Sequence, residues 1–329
     1  MAQSSPRGDG QWGAIADRMV SRSMALSVAA LTFGLSSRVF AQGSDDCFPS
    51  KTSNEAHTMA IFAVPLAFGA AGAPARTPSG RIELGIEVSY LPKVDRATAT
   101  PTVCRPGKGP ENTNLLFAAP RPRIALSLPS GLALEASWVP PVRMAQVETN
   151  LIGVALSRTT SLNRRGAMLS LRAHATFGTV KAPITCNDQS LHDATSVCYH
   201  GTRSNDSFKP NILGFEAAVG WSLGNTLHPY LGAGYNHLAP RFQVNFTDQF
   251  GAVDRRKVSV DMSRGVLFAG ATWSATSAIS LTGEVYSAPA DAVTARMAAR
   301  VRLGRSSPVA AAPVPPANSA PVPGATPDR

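Results

Sequence analysis

The stretch "RIELGIEVSY" at 81–90 alternates strictly. Ile82, Leu84, Ile86, Val88 and Tyr90 are apolar, while Arg81, Glu83, Glu87 and Ser89 are polar, with Gly85 among them. A period of two makes a strand with one oily face and one wet face. The same alternation returns at 123–128, 132–138, 168–177, 213–221, 279–286 and 295–303. Less regular segments lie at about 146–157, 229–247 and 256–273, and the second changes parity near Pro240, where a break or bulge is expected. The chain therefore reads as all-β with about ten strands, within a range of 8–12.

The wet faces carry ionised groups on nearly every strand: Glu83, Glu87, Glu135, Glu216 and Glu284 against Arg81, Arg123, Arg172, Arg296, Arg300 and Arg302, with His174 among them. An ordinary soluble core does not accept so many charges. Only 16% of the 329 residues are charged, yet no internal apolar run reaches 18 residues, so a helical membrane protein is disfavoured. The formal charge of +10 does not form a basic stripe with interleaved aromatics, and nucleic acid is not an expected partner.

Residues 1–41 read as an export signal. Arg18 and Arg22 precede the apolar run Met24–Leu35, and Val39 and Ala41 stand at −3 and −1 of a cleavage site; translation from Met19 would give a conventional leader. Export places Cys47, Cys104, Cys186 and Cys198 in an oxidising compartment, where an even count favours disulfides. Cys186 and Cys198 share one polar segment and are the readier pair. His192 and His200 lie nearby, but a disulfide is preferred to a metal site there, and no cofactor is implied.

The links between strands are uneven. Those after strands one and five, 92–120 and 179–208, are long. Those after strands two, four, six and eight are short, and those after three, seven and nine are intermediate. With an even strand number, both chain ends are expected on the short-turn side.

Over 81–304 this pattern resembles the bacterial outer-membrane β-barrel superfamily. The resemblance implies a closed antiparallel up-and-down transmembrane barrel, oily faces toward lipid, charged faces toward the lumen, and location in the outer membrane. It also implies contact with outer-membrane lipid, including lipopolysaccharide, insertion by the barrel assembly machinery, and a monomer. Tyr90, Trp138, Phe177, Trp221 and Trp273 stand at or near strand ends on the apolar faces, as an interfacial aromatic girdle requires. The last strand ends "RVRLG" rather than in the terminal aromatic common among such barrels. A Pro/Ala-rich tail with seven prolines, 305–329, follows and is expected to be extended and disordered.

Residues 42–80 form a separate N-terminal segment. "SNEAHTMAIFAVPLAF" at 53–68 is compatible with a helix capped at Ser53 or Asn54 and ending before Pro65, or with a strand. Pairing of Cys47 with Cys104 would require this segment to reach an outer loop through the lumen, which would make it a plug.

Two functions are consistent with these features. One is a structural or surface-interaction barrel with a charge-paired narrow lumen, presenting loops 92–120 and 179–208. The other is a narrow passive channel or transporter for small solutes or apolar compounds. An enzyme is not expected. His174 near Ser170 and Glu216 is the one constellation worth testing, and neither a Gly-x-Ser-x-Gly nor an HExxH motif surrounds it.

Overall fold

A computed structural model of the chain describes residues 46–144, 146–162 and 166–303. The proposed signal peptide and the Pro/Ala-rich tail lie outside the described residues.

Ten long strands close into one antiparallel barrel: β1 (Ile82–Tyr90), β2 (Ala118–Ser127), β3 (Leu132–Met144), β4 (Val147–Ser161), β5 (Met168–Ala182), β6 (Ile212–Gly220), β7 (Leu227–Leu238), β8 (Met262–Ser274), β9 (Ile279–Ala288) and β10 (Ala292–Leu303). Each pairs with the next, and β10 returns to β1 through Arg302↔Glu83 and Ala298↔Glu87. Closure gives every strand two neighbours, which removes the free edges an open sheet would leave.

The alternation resolves into two surfaces. Along β4, Ile152, Val154 and Leu156 point outward between the polar Asn150 and Arg158, while Leu151, Gly153 and Ala155 point inward. On β1 it is Ile82, Leu84, Ile86, Val88 and Tyr90 that stand exposed, and Glu87 is fully buried. The oily faces thus point away from the interior.

Links on one end of the barrel are 91–117, 145–146, 183–211, 239–261 and 289–291; those on the other are 128–131, 162–167, 221–226 and 275–278. The links after β3 and β9 are therefore tight turns rather than intermediate ones, because both of these strands run on further than their apolar alternation. The break foreseen near Pro240 is the end of β7 at Leu238. The chain then leaves the barrel and forms 241–243, which pairs with 206–209 and 257–259 in an extension of the sheet that continues from the end of β5 at the long-loop end.

The N-terminal segment enters from that end. Asp46–Cys47 pairs in parallel with Lys257–Val258, and Cys47 is bonded to Cys104 in loop 91–117. The expectation that both chain ends leave on the short-turn side is therefore corrected for Asp46. Its reason is the disulfide and the ladder, which fix the start of the segment beside the long loops. Helix α1 (Asn54–Leu66) follows, with Ser53 as N-cap accepting from the Ala56 amide at 3.2 Å. Pro65 lies inside the last turn of α1 rather than beyond it. The chain then descends the bore and leaves at the short-turn end, where the Gly80 amide donates to the Ser127 carbonyl at 2.8 Å.

Candidate functional site: a plugged lumen

A helix that ends inside a barrel faces a physical difficulty. Its last carbonyls have no intrahelical donor, and its C-terminus carries partial negative charge. The last turn of α1 contains no basic residue of its own. The wall supplies them instead. Arg121 donates to Leu66 O at 2.8 Å, Arg296 to Val64 O at 3.3 Å and Ala67 O at 3.2 Å, and Thr176 to Leu66 O at 3.1 Å. The carbonyls just past the helix are taken likewise: Phe68 by Arg172 at 3.2 Å, Gly69 by Arg123 at 2.9 Å, and Ala70 by Arg300 at 2.6 Å. Lower in the bore the Ala73 amide donates to Thr272 Oγ1 at 2.9 Å.

The same guanidiniums are held by carboxylates. Arg123 bridges Glu87 and Glu135, reaching the latter at 2.7 Å, and Arg172 is bonded to the other oxygen of Glu135. Arg296 stands 3.4 Å from Glu284, and Arg302 bonds Glu83 at 2.8 Å, with Arg300 3.9 Å from it. All of these but Glu83, Arg300 and Arg302 are buried. Buried charge persists only when paired and hydrogen-bonded, and here each buried arginine has both a carboxylate and a carbonyl, or two carbonyls. Phe68, fully buried, lies beneath Arg123, Arg172 and Arg121, with guanidinium-to-ring distances of 4.3, 5.1 and 5.5 Å. Gly153 leaves room for that ring: a Cβ there would meet Phe68 Cγ at 2.9 Å.

Neutral donors extend the network. Tyr230 donates to Glu284 at 2.9 Å, Tyr286 to Glu216 at 3.0 Å, and Asn236 to the Tyr286 hydroxyl at 2.9 Å. The proposed lumen charges are thus brought together, and Arg121, Phe68, Tyr230, Tyr286 and Asn236 join them. Arg121 escapes a reading by alternation because Pro120 and Pro122 interrupt the start of its strand.

His174 Nε2 lies 3.4 Å from Glu216 Oε1, both deeply buried. Ser170 is four residues back along the same strand and instead accepts from Thr159 at 3.4 Å. A nucleophile beside its base is therefore not assembled at these residues.

The upper end of the segment is fastened separately. Glu55 accepts from the amides of Thr102, Val103 and Cys104 at 2.9, 2.7 and 2.9 Å. Burial raises its carboxyl, but the Cys104 and Val103 amides outweigh it and hold the group below the usual carboxylate range. His57 meets Asp291 at 2.9 Å, and Arg264 bonds the same carboxylate. In the loops, Cys186 is bonded to Cys198, and Asp206 accepts from the Thr185 and Asn245 amides at 2.6 and 2.8 Å. Burial nevertheless pushes the Asp206 carboxyl up.

The aromatic residues fall into two groups on the outer surface. Tyr90, Trp138 and Phe177 stand toward the long-loop end, and Trp221 and Trp273 toward the other; all five are exposed.

Between α1 and the wall, below the long loops, lies a cavity of about 150 Å³. Met59, Phe62, Leu66, Leu116, Val180 and Phe208 contribute to its walls. Its charged lining residues are already engaged: Glu55 by the amides above, and Glu111 by Lys108 at 2.7 Å and Arg105 at 3.6 Å.

No family model and no curated protein matches the chain. Among solved structures it is similar to Ail, the attachment invasion locus protein of Yersinia pestis, at 9% identity over 69% of this chain and 100% of that one, with a TM-score of 0.29. It is similar to the P. putida toluene transporter TodX at 14% identity over 70% and 68%, with a TM-score of 0.27. The KdgM porin is 9% identical over 69% and 99%, with a TM-score of 0.26. Overlap at this level assigns no function.

Arg123→Ala removes the donor shared by Glu87, Glu135 and the Gly69 carbonyl. Because it strands buried carboxylates, it should destabilise the folded barrel by about 3–5 kcal/mol. Adding Glu87→Gln, which neutralises the carboxylate left without an arginine partner, should restore part of that loss, measured as the denaturant midpoint of both variants in lipid bilayers.

Proposed function

We propose that this chain is an outer-membrane β-barrel whose bore is shut by its own N-terminal segment, and that it serves as a surface-interaction barrel rather than as an open pore or an enzyme. The observation that carries this reading is the capture of the segment's carbonyls by arginines from β2, β5 and β10, which fills the bore with paired charge and backbone. A ten-stranded lumen is only slightly wider than one that side chains alone can fill.

The exposed apolar belt supports residence in lipid, where closed barrels satisfy their own backbone. The exposed tyrosine and tryptophans at its two margins suit a lipid–water boundary. The outer rim of the belt would contact lipopolysaccharide, insertion would use the barrel assembly machinery, and the closed wall is consistent with a monomer. What remains for function is the long-loop end. There two disulfides and the ladder of 46–47, 257–259, 241–243 and 206–209 hold a rigid surface for recognition.

The refolded chain from residue 42 onward should be silent in planar bilayers, while deletion of 46–72 should give steady steps. Stable ion-selective conductance from the intact chain would favour the alternative, a narrow channel for small solutes or apolar compounds. Leu84→Arg tests the lipid-facing surface. In a bilayer it should cost about 2–4 kcal/mol near the midplane. An effect within about 0.5 kcal/mol would instead mean that this face meets water.

A further inference from the structure

The barrel wall is not uniformly paired. The ladder between β2 and β3 ends at Arg123↔Ser137, although β2 begins at Ala118 and β3 runs on to Met144. Pro120 and Pro122 stand on one of the facing edges, Pro140 and Pro141 on the other. Proline has no N–H to give to a ladder and is confined to edges and bulges. Consistent with this, the register of β3 against β4 shifts between Val139 and Val142. On its other side β2 stays paired, with Val88↔Pro120 and Tyr90↔Ala118. The four prolines thus write an interruption into the wall at one place.

That place is apolar on both sides. Outside it stand Val88, Tyr90, Trp138 and Val142, all exposed. Inside it is the cavity beside α1, and Ala119, in the unpaired part of β2, is one of its lining residues. At about 150 Å³ a space with mainly apolar walls accepts a molecule the size of benzene. At its margin Glu55 is bonded to amides and Glu111 to Lys108, while Arg105 stands 3.6 Å from Glu111 and from Asp254, so the walls offered to a ligand are mainly apolar.

We propose that this cavity is a binding site for a small apolar molecule, an aromatic or short aliphatic hydrocarbon, reached from the lipid belt through the gap between β2 and β3. The inference does not depend on whether the bore conducts, since cavity and gap lie beside the plug and not along it.

The test uses the full mature chain in phospholipid nanodiscs, with methyl-labelled methionine and benzene as the probe. Met59 lines the cavity, whereas Met297 faces outward and is 72% exposed. The Met59 methyl resonance should shift saturably with benzene, while Met297 should follow partitioning linearly. Ala119→Phe, which fills the cavity, should reduce the saturable shift at least tenfold; if that variant fails to fold, Val180→Phe serves the same purpose. A Met59 shift that is linear, or one that survives the filling variant, would overturn the site. Contacts from lipid acyl chains to Met59 before benzene is added would also overturn it, by giving the cavity to a lipid tail.

Discussion

The fold depends on one interaction, the bonding of arginines on the barrel wall to the backbone carbonyls at and beyond the end of α1. A helix terminus in a low-dielectric bore would otherwise hold unsatisfied acceptors, each costing about 1–3 kcal/mol. Guanidinium groups suit the task because their planar forks reach a carbonyl and a carboxylate at once. Arg123 does so with Gly69 on one side and Glu87 and Glu135 on the other. The carboxylates in turn neutralise the arginines, so plug and wall hold each other's polar groups. Each supports the other: without the segment the guanidiniums lose acceptors, and without the guanidiniums the segment has no partners in the bore.

This arrangement explains why the charged residues lie inside and the apolar residues outside. A plug made of backbone requires polar walls, and a wall set in lipid requires an oily exterior. The period-two alternation satisfies both with the same strands. It also explains the small residues along the path. Gly69 lies so near the Arg296 guanidinium and Glu216 that a Cβ would collide, and Gly153 leaves space for the Phe68 ring.

Much of this was legible in the sequence. Alternation at 81–90 and its repeats gave the strands and separated Glu87, Glu135 and Arg296 from their apolar neighbours, since a parity rule needs no tertiary knowledge. The path of residues 46–81 was legible only through the cysteines, because α1 has no strongly one-sided pattern and its partners are distant in sequence. Phe68 and Arg121 were not legible: the first is important for the arginines that gather over it, and the second lies in a strand masked by prolines. Those prolines signal the gap between β2 and β3 only once the ladder of the neighbouring strands is known. The tight turns after β3 and β9 were missed because both strands continue past the apolar belt, where alternation no longer reports on lipid.

The central claim is that the segment after α1 occupies the bore of the folded barrel. Ala67 is fully buried there. The most direct measurement is the reactivity of Ala67→Cys toward a membrane-impermeant thiol reagent, applied from each side of the bilayer to the folded chain. The structure predicts protection from both sides, with labelling only when Arg121 and Arg296 are also replaced by alanine. Rapid labelling in the otherwise intact chain would mean that the bore is open and the segment lies elsewhere.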